Sequence, residues 1–478
     1  TPSDIVPARL VQHQIDELAS QGVVADVLPL TALQQGLLFH AGVAQADHGD
    51  VVDHGDVVDR GDVYAVQLDI ALRGALDECR LRDAVQVVVG RHPHLVARFS
   101  QRFDQPVQVI SADPVAGWRY IDLTGCDAGD VEVQIEQVCA VERGAVCDLG
   151  GQPASRVALI CTAQDRYRFV LTNHHIVLDG WSLPILLQEI FASYYGQRLA
   201  APTPYRRFVT WLAQRDLDSA RAAWSEVLAG FETPTLVGPS EPMVLGQRGI
   251  ESCELTAELT EAIGALARRC HTTVNTVLQA GWAQLLVSLT GQQDVAFGIA
   301  VSGREAELVG VESMVGLLIN TVPVRATITA QLTVGGLLEQ LQRRYSDTLD
   351  HQHLALSEIH RVTGHDRLFD TLFAFENYPV DTDAPLGADG LAITGFSSRE
   401  YNHYPLSIQV APGNELALRI EFDTAVFDTA TIETLIARWV RVLEVMTADP
   451  DVRLSSVDVV DGGERARLDL WSNREVLV

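Results

Sequence analysis

The residues best suited to chemistry stand together in Asn173-His174-His175-Ile176-Val177-Leu178-Asp179-Gly180-Trp181-Ser182. Histidine titrates closest to neutrality, so an imidazole here is a candidate general base or a group that orients a nucleophile. The preceding run, Tyr167 to Leu171, reads as a strand, on which neighbouring side chains point to opposite faces. His174 and His175 therefore diverge, which argues against a shared metal ion. It lets one ring face a cavity while the other packs inward. Asp179, four residues past His175, is placed to hold an imidazole tautomer or to anchor the turn by pairing with an arginine. Gly180 permits a tight turn, Ser182 is positioned to cap the next helix, and helix N-terminal amides would favour a developing oxyanion. An isolated His-His would read as satisfied core histidines; the whole string argues for a site.

The elements that must position this string follow from periodicity. Strands are expected at 63–72, 95–99, 156–161 and 166–175, with helices at 76–89 and from Ser182 to about residue 195, where Leu183, Leu186, Leu187, Ile190 and Phe191 share one side. Loop-like composition around Pro202-Thr203-Pro204 marks a seam. Beyond it, a helix carries Val274, Val277, Leu278, Trp282, Leu285, Leu286 and Leu289, strands are expected at 295–301, 318–324, 368–375, 406–410 and 416–422, and a last helix at 431–447. Strands and helices mix without a strict alternation, which predicts an α+β fold rather than a dinucleotide-binding one. Residues 1–22 read as a linker. Three acidic hexads at 47–64, each with a glycine, read as an expanded surface loop.

Composition removes whole classes of function. The 478 residues carry 35 basic and 63 acidic side chains, a net charge of −28, so a nucleic-acid partner is not expected. All the basic residues are arginine. Without lysine there is no Schiff-base chemistry and no P-loop or kinase lysine. No apolar run reaches the ~18 residues of a membrane span. The seven cysteines are never closer than eight residues, which fits buried thiols in a reducing cytosol. The start, Thr1-Pro2-Ser3-Asp4, lacks both an export signal and a methionine, which points to an N-terminus further upstream.

The string His174-His175-x-x-x-Asp179-Gly180-Trp181-Ser182 resembles the core motif of the condensation domains of non-ribosomal peptide synthetases, and further motifs follow in order. Leu28-Pro29-Leu30-Thr31 with Leu33 to His40 is similar to the first, and Arg91-His92-Pro93-His94-Leu95-Val96-Ala97-Arg98-Phe99 to the second, departing at Pro93 and Val96. Tyr205-Arg206-Arg207-Phe208 with Trp211 resembles the fourth, and Val315 to Arg325 the fifth. Phe369 to Pro379 and Tyr404-Pro405-Leu406 resemble late motifs. Asp461-Gly462-Gly463-Glu464-Arg465 with Trp471-Ser472-Asn473 looks like a linker toward an adenylation domain, and the start looks like the linker after an upstream domain. The chain thus reads as one domain of a larger assembly line: linker 1–22, N-terminal lobe 23–200, C-terminal lobe 201–460, linker 461–478.

The resemblance implies two chloramphenicol acetyltransferase-like lobes forming a V-shaped pseudo-dimer with a central tunnel. It implies amide formation between a donor acyl or peptidyl thioester and an acceptor aminoacyl thioester. Both substrates ride on the 4'-phosphopantetheine arms of upstream and downstream carrier proteins, with no cofactor bound by the domain itself. It makes His175 the active histidine, with His174 and Gly180 shaping the motif. Asp179 becomes structural, paired with an arginine of the other lobe, for which Arg304 is the candidate. Asn320 is placed near the reaction centre. Apolar surroundings at Phe169 and Leu171 are expected to lower the His175 pKa and keep the ring neutral. The opening motif resembles that of domains accepting a donor that ends in a D-residue. A cytoplasmic domain, monomeric when excised, is expected.

Sister activities share this scaffold. Epimerisation domains keep His-His-x-x-x-Asp-Gly but differ after the glycine, where Trp181-Ser182 favours condensation. Heterocyclisation domains carry aspartates for the histidines, and plant-type coenzyme A acyltransferases carry Asp-Phe-Gly-Trp-Gly, which is absent. Ester formation stays open. So does a non-catalytic recruitment role, although such domains lose motif histidines and both are kept here.

Overall fold

The computed structural model describes residues 8–20, 22–46, 64–127, 129–239, 247–305, 307–376, 391–460 and 463. The hexads up to residue 63, the 461–478 linker apart from Gly463, and the Asn377-Tyr378-Pro379 end of one late motif lie outside them.

Two compact units are discontinuous in sequence, whereas the sequence reading cut the chain into contiguous stretches. The first joins Thr1–Arg215 to Ser302–Ile319 and Tyr378–Asn402; the second joins Asp216–Val301, Asn320–Asn377 and His403–Val478. The first unit therefore borrows two late segments, and its sheet explains one of them. Five strands lie in the order Ala392–Arg399, Ala65–Arg73, Arg166–His174, Ser155–Ala163, Gly117–Asp122. All neighbours are antiparallel except the last two. The strand that closes one edge thus comes from far along the chain. Period-2 alternation gives this sheet two apolar faces. One, with Leu68, Ile70, Leu159, Phe169 and Leu171, packs in a core shared by the helices Glu78–Arg91 and Ser182–Tyr194. The other, with Ala158, Ile160 and Val170, packs on the helix Val131–Val146.

A three-stranded sheet, Val24–Pro29, Val107–Ser111, Arg98–Ser100, completes this unit. Against it pack Ala8, Leu10 and Leu18, so the stretch read as a linker is anchored where it is described. Its helix, Gln12–Ala19, is short, and apolar burial supplies what so few turns lack. The stretch expected as a strand at 95–99 begins instead in a 3-10 turn, Pro93–Val96, which Pro93 opens with its fixed φ, and the strand follows at Arg98–Ser100.

The second unit holds six strands in the order Asn320–Thr327, Asp294–Val301, Thr371–Phe375, Leu406–Ala411, Ala417–Asp423, Arg248–Glu254. The helices Val274–Thr290 and Thr429–Ala448 contribute to its core, where Trp282, Phe297, Phe373 and Trp439 are fully buried. Trp439 stands edge-on to both Trp282 and Phe373, with centroids 6.0 Å apart in each pair. Among the described residues no helix is long and apolar enough to cross a membrane.

Candidate active site

The histidine pair sits where a buried strand runs out. Arg166–His174 ends at His174, whose amide still donates to Ala154 O at 2.8 Å. His175 already belongs to a 3-10 turn, His175–Val177, and its amide donates to Tyr64 O at 2.8 Å. The strand is one residue shorter than expected, so the two rings are separated by the change from strand to turn, and each has partners of its own. The His174 side chain is fully buried and its Nδ1 accepts the Ile176 N–H at 3.0 Å, so it braces the turn. The His175 side chain keeps 13% exposure.

Hydrogen bonding fixes the His175 tautomer. Nδ1 lies 2.8 Å from Leu178 O, and a carbonyl only accepts, so Nδ1 carries a proton and Nε2 is the edge left for chemistry. Leu178, rather than Asp179, therefore sets the tautomer. At Nε2 the structure brings a residue that sequence reasoning missed: Glu400 Oε1, at 3.2 Å. The sheet delivers it. Arg399 pairs with Gln67, Gln67 with Thr172, and Ala65 with His174, so the residue after Arg399 emerges beside the strand end. Burial, the largest single influence, works against a charged ring, but Glu400, helped by a backbone hydrogen bond and Asp179, leaves the imidazole pushed up to about 9. The expectation of a neutral His175 is thereby corrected: an unforeseen carboxylate, not the apolar strand, decides its charge.

Asp179 is fully buried and satisfied on every side. Its Oδ1 accepts Ser182 N–H at 2.9 Å and Arg304 Nη2 at 3.3 Å, and its Oδ2 accepts Leu318 N–H at 2.9 Å. The helix Ser182–Tyr194 is thus capped from Asp179. Ser182, expected as the cap, instead turns its hydroxyl to Gly316, donating to its carbonyl at 2.9 Å and accepting its N–H at 3.0 Å. Arg304 adds bonds to Val311 O, Met314 O and Ser182 Oγ, which ties the segment Ser302–Ile319 to the motif turn. Arg304 was expected from an opposite lobe, yet it lies in the same compact unit as Asp179. Gly180 makes its turn outside the left-handed region, its carbonyl accepting Leu183 N–H at 3.3 Å. Gly303 does need that region: its φ is +61°, and a Cβ there would lie 1.8 Å from Leu318 O.

The remaining motifs buttress this turn. Gln34 and Thr31 form a reciprocal cap on the helix Ala32–Ala46, and Gln34 Nε2 donates to Ile176 O at 2.8 Å. Arg91 and His92 both grip Glu189 on the helix that follows the motif, at 2.8 and 2.9 Å. His94 stacks on Tyr205 at 4.7 Å, and the Tyr205 hydroxyl donates to Leu317 O at 2.9 Å. Asn320 belongs to the second unit. It opens the strand Asn320–Thr327, and its amide donates to Gln352 O and Leu354 O, both at 2.8 Å. The structure therefore gathers His174, His175, Asp179, Gly180 and Arg304 in one unit and adds Glu400, while Asn320 serves a turn of the other.

The chain is similar to known proteins over nearly its whole length. A family model described as Condensation domain matches residues 24–468. Chondramide synthase cmdD of Chondromyces crocatus is 36% identical over 98% of this chain, which spans 13% of that protein. Bacitracin synthase 3 of Bacillus licheniformis is 33% identical over 93% of this chain, which spans 7% of it. The chain is thus a small fraction of the length of these curated relatives. Among solved structures, the first condensation domain of the calcium-dependent antibiotic synthetase matches with a TM-score of 0.71 at 21% identity, over 92% of this chain and 100% of that one. The X-domain from teicoplanin biosynthesis matches at 0.74 and 19% identity, over 90% and 97%. These structural likenesses establish the chloramphenicol acetyltransferase-like two-lobe fold. With the family match running over nearly the whole sequence, the chain belongs to the condensation-domain family, the amide-forming acyltransferases of non-ribosomal peptide synthetases.

Proposed function

We propose that this chain joins a donor acyl or peptidyl thioester on an upstream carrier protein to the α-amine of an aminoacyl thioester on a downstream carrier. The new C–N bond forms as the donor C–S bond breaks, and the amine's proton ends on the departing pantetheine thiol. The observation that carries this reading is the His175 ring, fixed through Nδ1 so that Nε2 is its reactive edge. His175 takes the proton of the attacking amine. His174, Gly180, and Asp179 with Arg304 hold the turn that presents it. An α-amine has a pKa near ~8, so neutral nucleophile is available near neutral pH. Alignment of two tethered reactants supplies ~7–11 kcal/mol, and a histidine base typically ~10²–10⁴-fold more.

In this reading the substrates stay on phosphopantetheine arms, an adenylation domain follows in the same polypeptide, and the setting is cytoplasmic. The opening motif, Leu28 to His40, supports a donor ending in a D-residue. Single turnover with both carriers loaded tests the proposal. A dipeptidyl thioester on the acceptor carrier is expected, faster with the D-donor epimer. No amide with either epimer would refute it, and a preference for the L-donor would refute the stereochemical part alone.

A further inference from the structure

Glu400 has no counterpart in the motif reading, yet it occupies the edge of His175 on which the proposed reaction depends. The geometry constrains the protons. Nδ1–H is committed to Leu178 O at 2.8 Å, and Nε2 lies 3.2 Å from Glu400 Oε1. A neutral imidazole with this tautomer and an ionised carboxylate are both acceptors at that contact. A stable contact therefore requires a proton between them, with the ring charged or the carboxyl protonated. Either way Nε2 has no lone pair to offer while the contact holds.

We propose that Glu400 is a positioning residue for His175: its carboxylate shares a proton with Nε2, keeps the ring aimed at residue 400, and frees the basic form only when that proton is lost. This rests on the reading of His175 as the group that takes the amine's proton. Both partners lie in the first compact unit, and the delivering strand, Ala392–Arg399, pairs with Gln67–Arg73, in unbroken register from Gly395 to Arg399 after a bulge between Ile393 and Gly395. The charged groups around the ring support the assignment. Glu400 acts on it most strongly and Asp179 adds a weaker pull in the same direction, while burial opposes both. Arg304, behind Asp179, is engaged by that carboxylate. Arg399, beside Glu400, lies 3.5 Å from Glu136 and stands over the Tyr401 ring. His174, the other titratable neighbour, turns its Nδ1 to Ile176 N–H.

The test is a pH titration of the His175 imidazole by NMR with histidine-selective labelling, in wild type and Glu400→Gln, with His175 assigned by loss of its signal in His175→Ala. The ring is expected to titrate well above the ordinary histidine value in wild type, and at least ~1 unit lower in the variant. In parallel, kcat/KM for amide formation is compared between the two proteins at each pH, a ratio in which the amine's own titration cancels. The variant-to-wild-type ratio is expected to fall as pH rises from 6.5 to 9, whereas a purely structural role would scale every point equally. Wild-type titration near 6.5, coincident titrations, or a flat ratio overturns the proposal. A lowered titration in a pair of proteins that both form no amide would sustain the pairing and refute the reaction reading instead.

Discussion

A single buried carboxylate holds the motif turn together. Asp179 accepts two backbone N–H groups and the Arg304 guanidinium with no water access. Removing it strands a buried cation, and breaking one side of such a pair costs ~3–5 kcal/mol. Asp179→Ala is therefore expected to lower the thermal midpoint sharply, with lost activity following lost fold; a midpoint within error of wild type would contradict the pairing. The Asp179–Arg304 partnership was legible from motif resemblance, because both residues stand in recognisable strings. Glu400 was not. Ser398-Arg399-Glu400-Tyr401 carries no spacing that links it to His175, and only strand register brings them together. The charge state of His175 was misjudged for the same reason: desolvation can be guessed from local apolar residues, but a carboxylate arriving on another strand cannot.

At the scale of elements, the motifs prove to be braces. Gln34 illustrates this, since one side chain both closes the cap of the helix Ala32–Ala46 and donates to the carbonyl of Ile176, next to His175. Gln34→Ala leaves Thr31 N–H and Ile176 O without these partners. At ~1–3 kcal/mol for an unsatisfied buried group, urea unfolding should show a loss of that order, and turnover should fall more than thermal stability alone explains. Unchanged stability and turnover would contradict the bracing role. The long apolar helix Val274–Thr290 and the strand Arg166–His174 were readable to within a residue or two. The edge strand Ala392–Arg399 escaped notice because its Thr394, Gly395, Ser397 and Ser398 give no apolar alternation. Ser182 looked like a cap by type, but Asp179 reached the amide first.

For the molecule as a whole, three groups set opposite pH limits on stability. His94 is buried and neutral, with its pKa pushed down to about 3 by burial and then by His92, so the unfolded chain binds the extra proton and stability falls as pH drops below about 6.5. Burial pushes Glu189 up, but Arg91 and His92 hold it at about 2, so its contribution is lost as pH falls below 4.5. His175, raised to about 9, contributes below 6.5 and loses that contribution as pH climbs through 9. Urea denaturation should therefore give a maximum near pH 6.5 with decline on both sides, and Glu400→Gln should flatten the alkaline side. A wild-type stability that still rises between pH 6.5 and 9 would contradict this balance. At the same scale, the sequence displayed the ordered motifs and the α+β character. It hid the discontinuity of the two units, because the return of Ser302–Ile319 to the first is fixed by Arg304, Gly316 and Leu318, contacts that no periodicity announces.

In the proposed reaction the Nε2 edge of His175 handles the amine's proton. Single-turnover amide formation by His175→Ala, with both carriers loaded and the melting midpoint recorded on the same sample, tests it most directly. The expected result is a folded protein whose rate falls by ~10²-fold or more. A folded variant that forms the dipeptidyl thioester at the wild-type rate would contradict it.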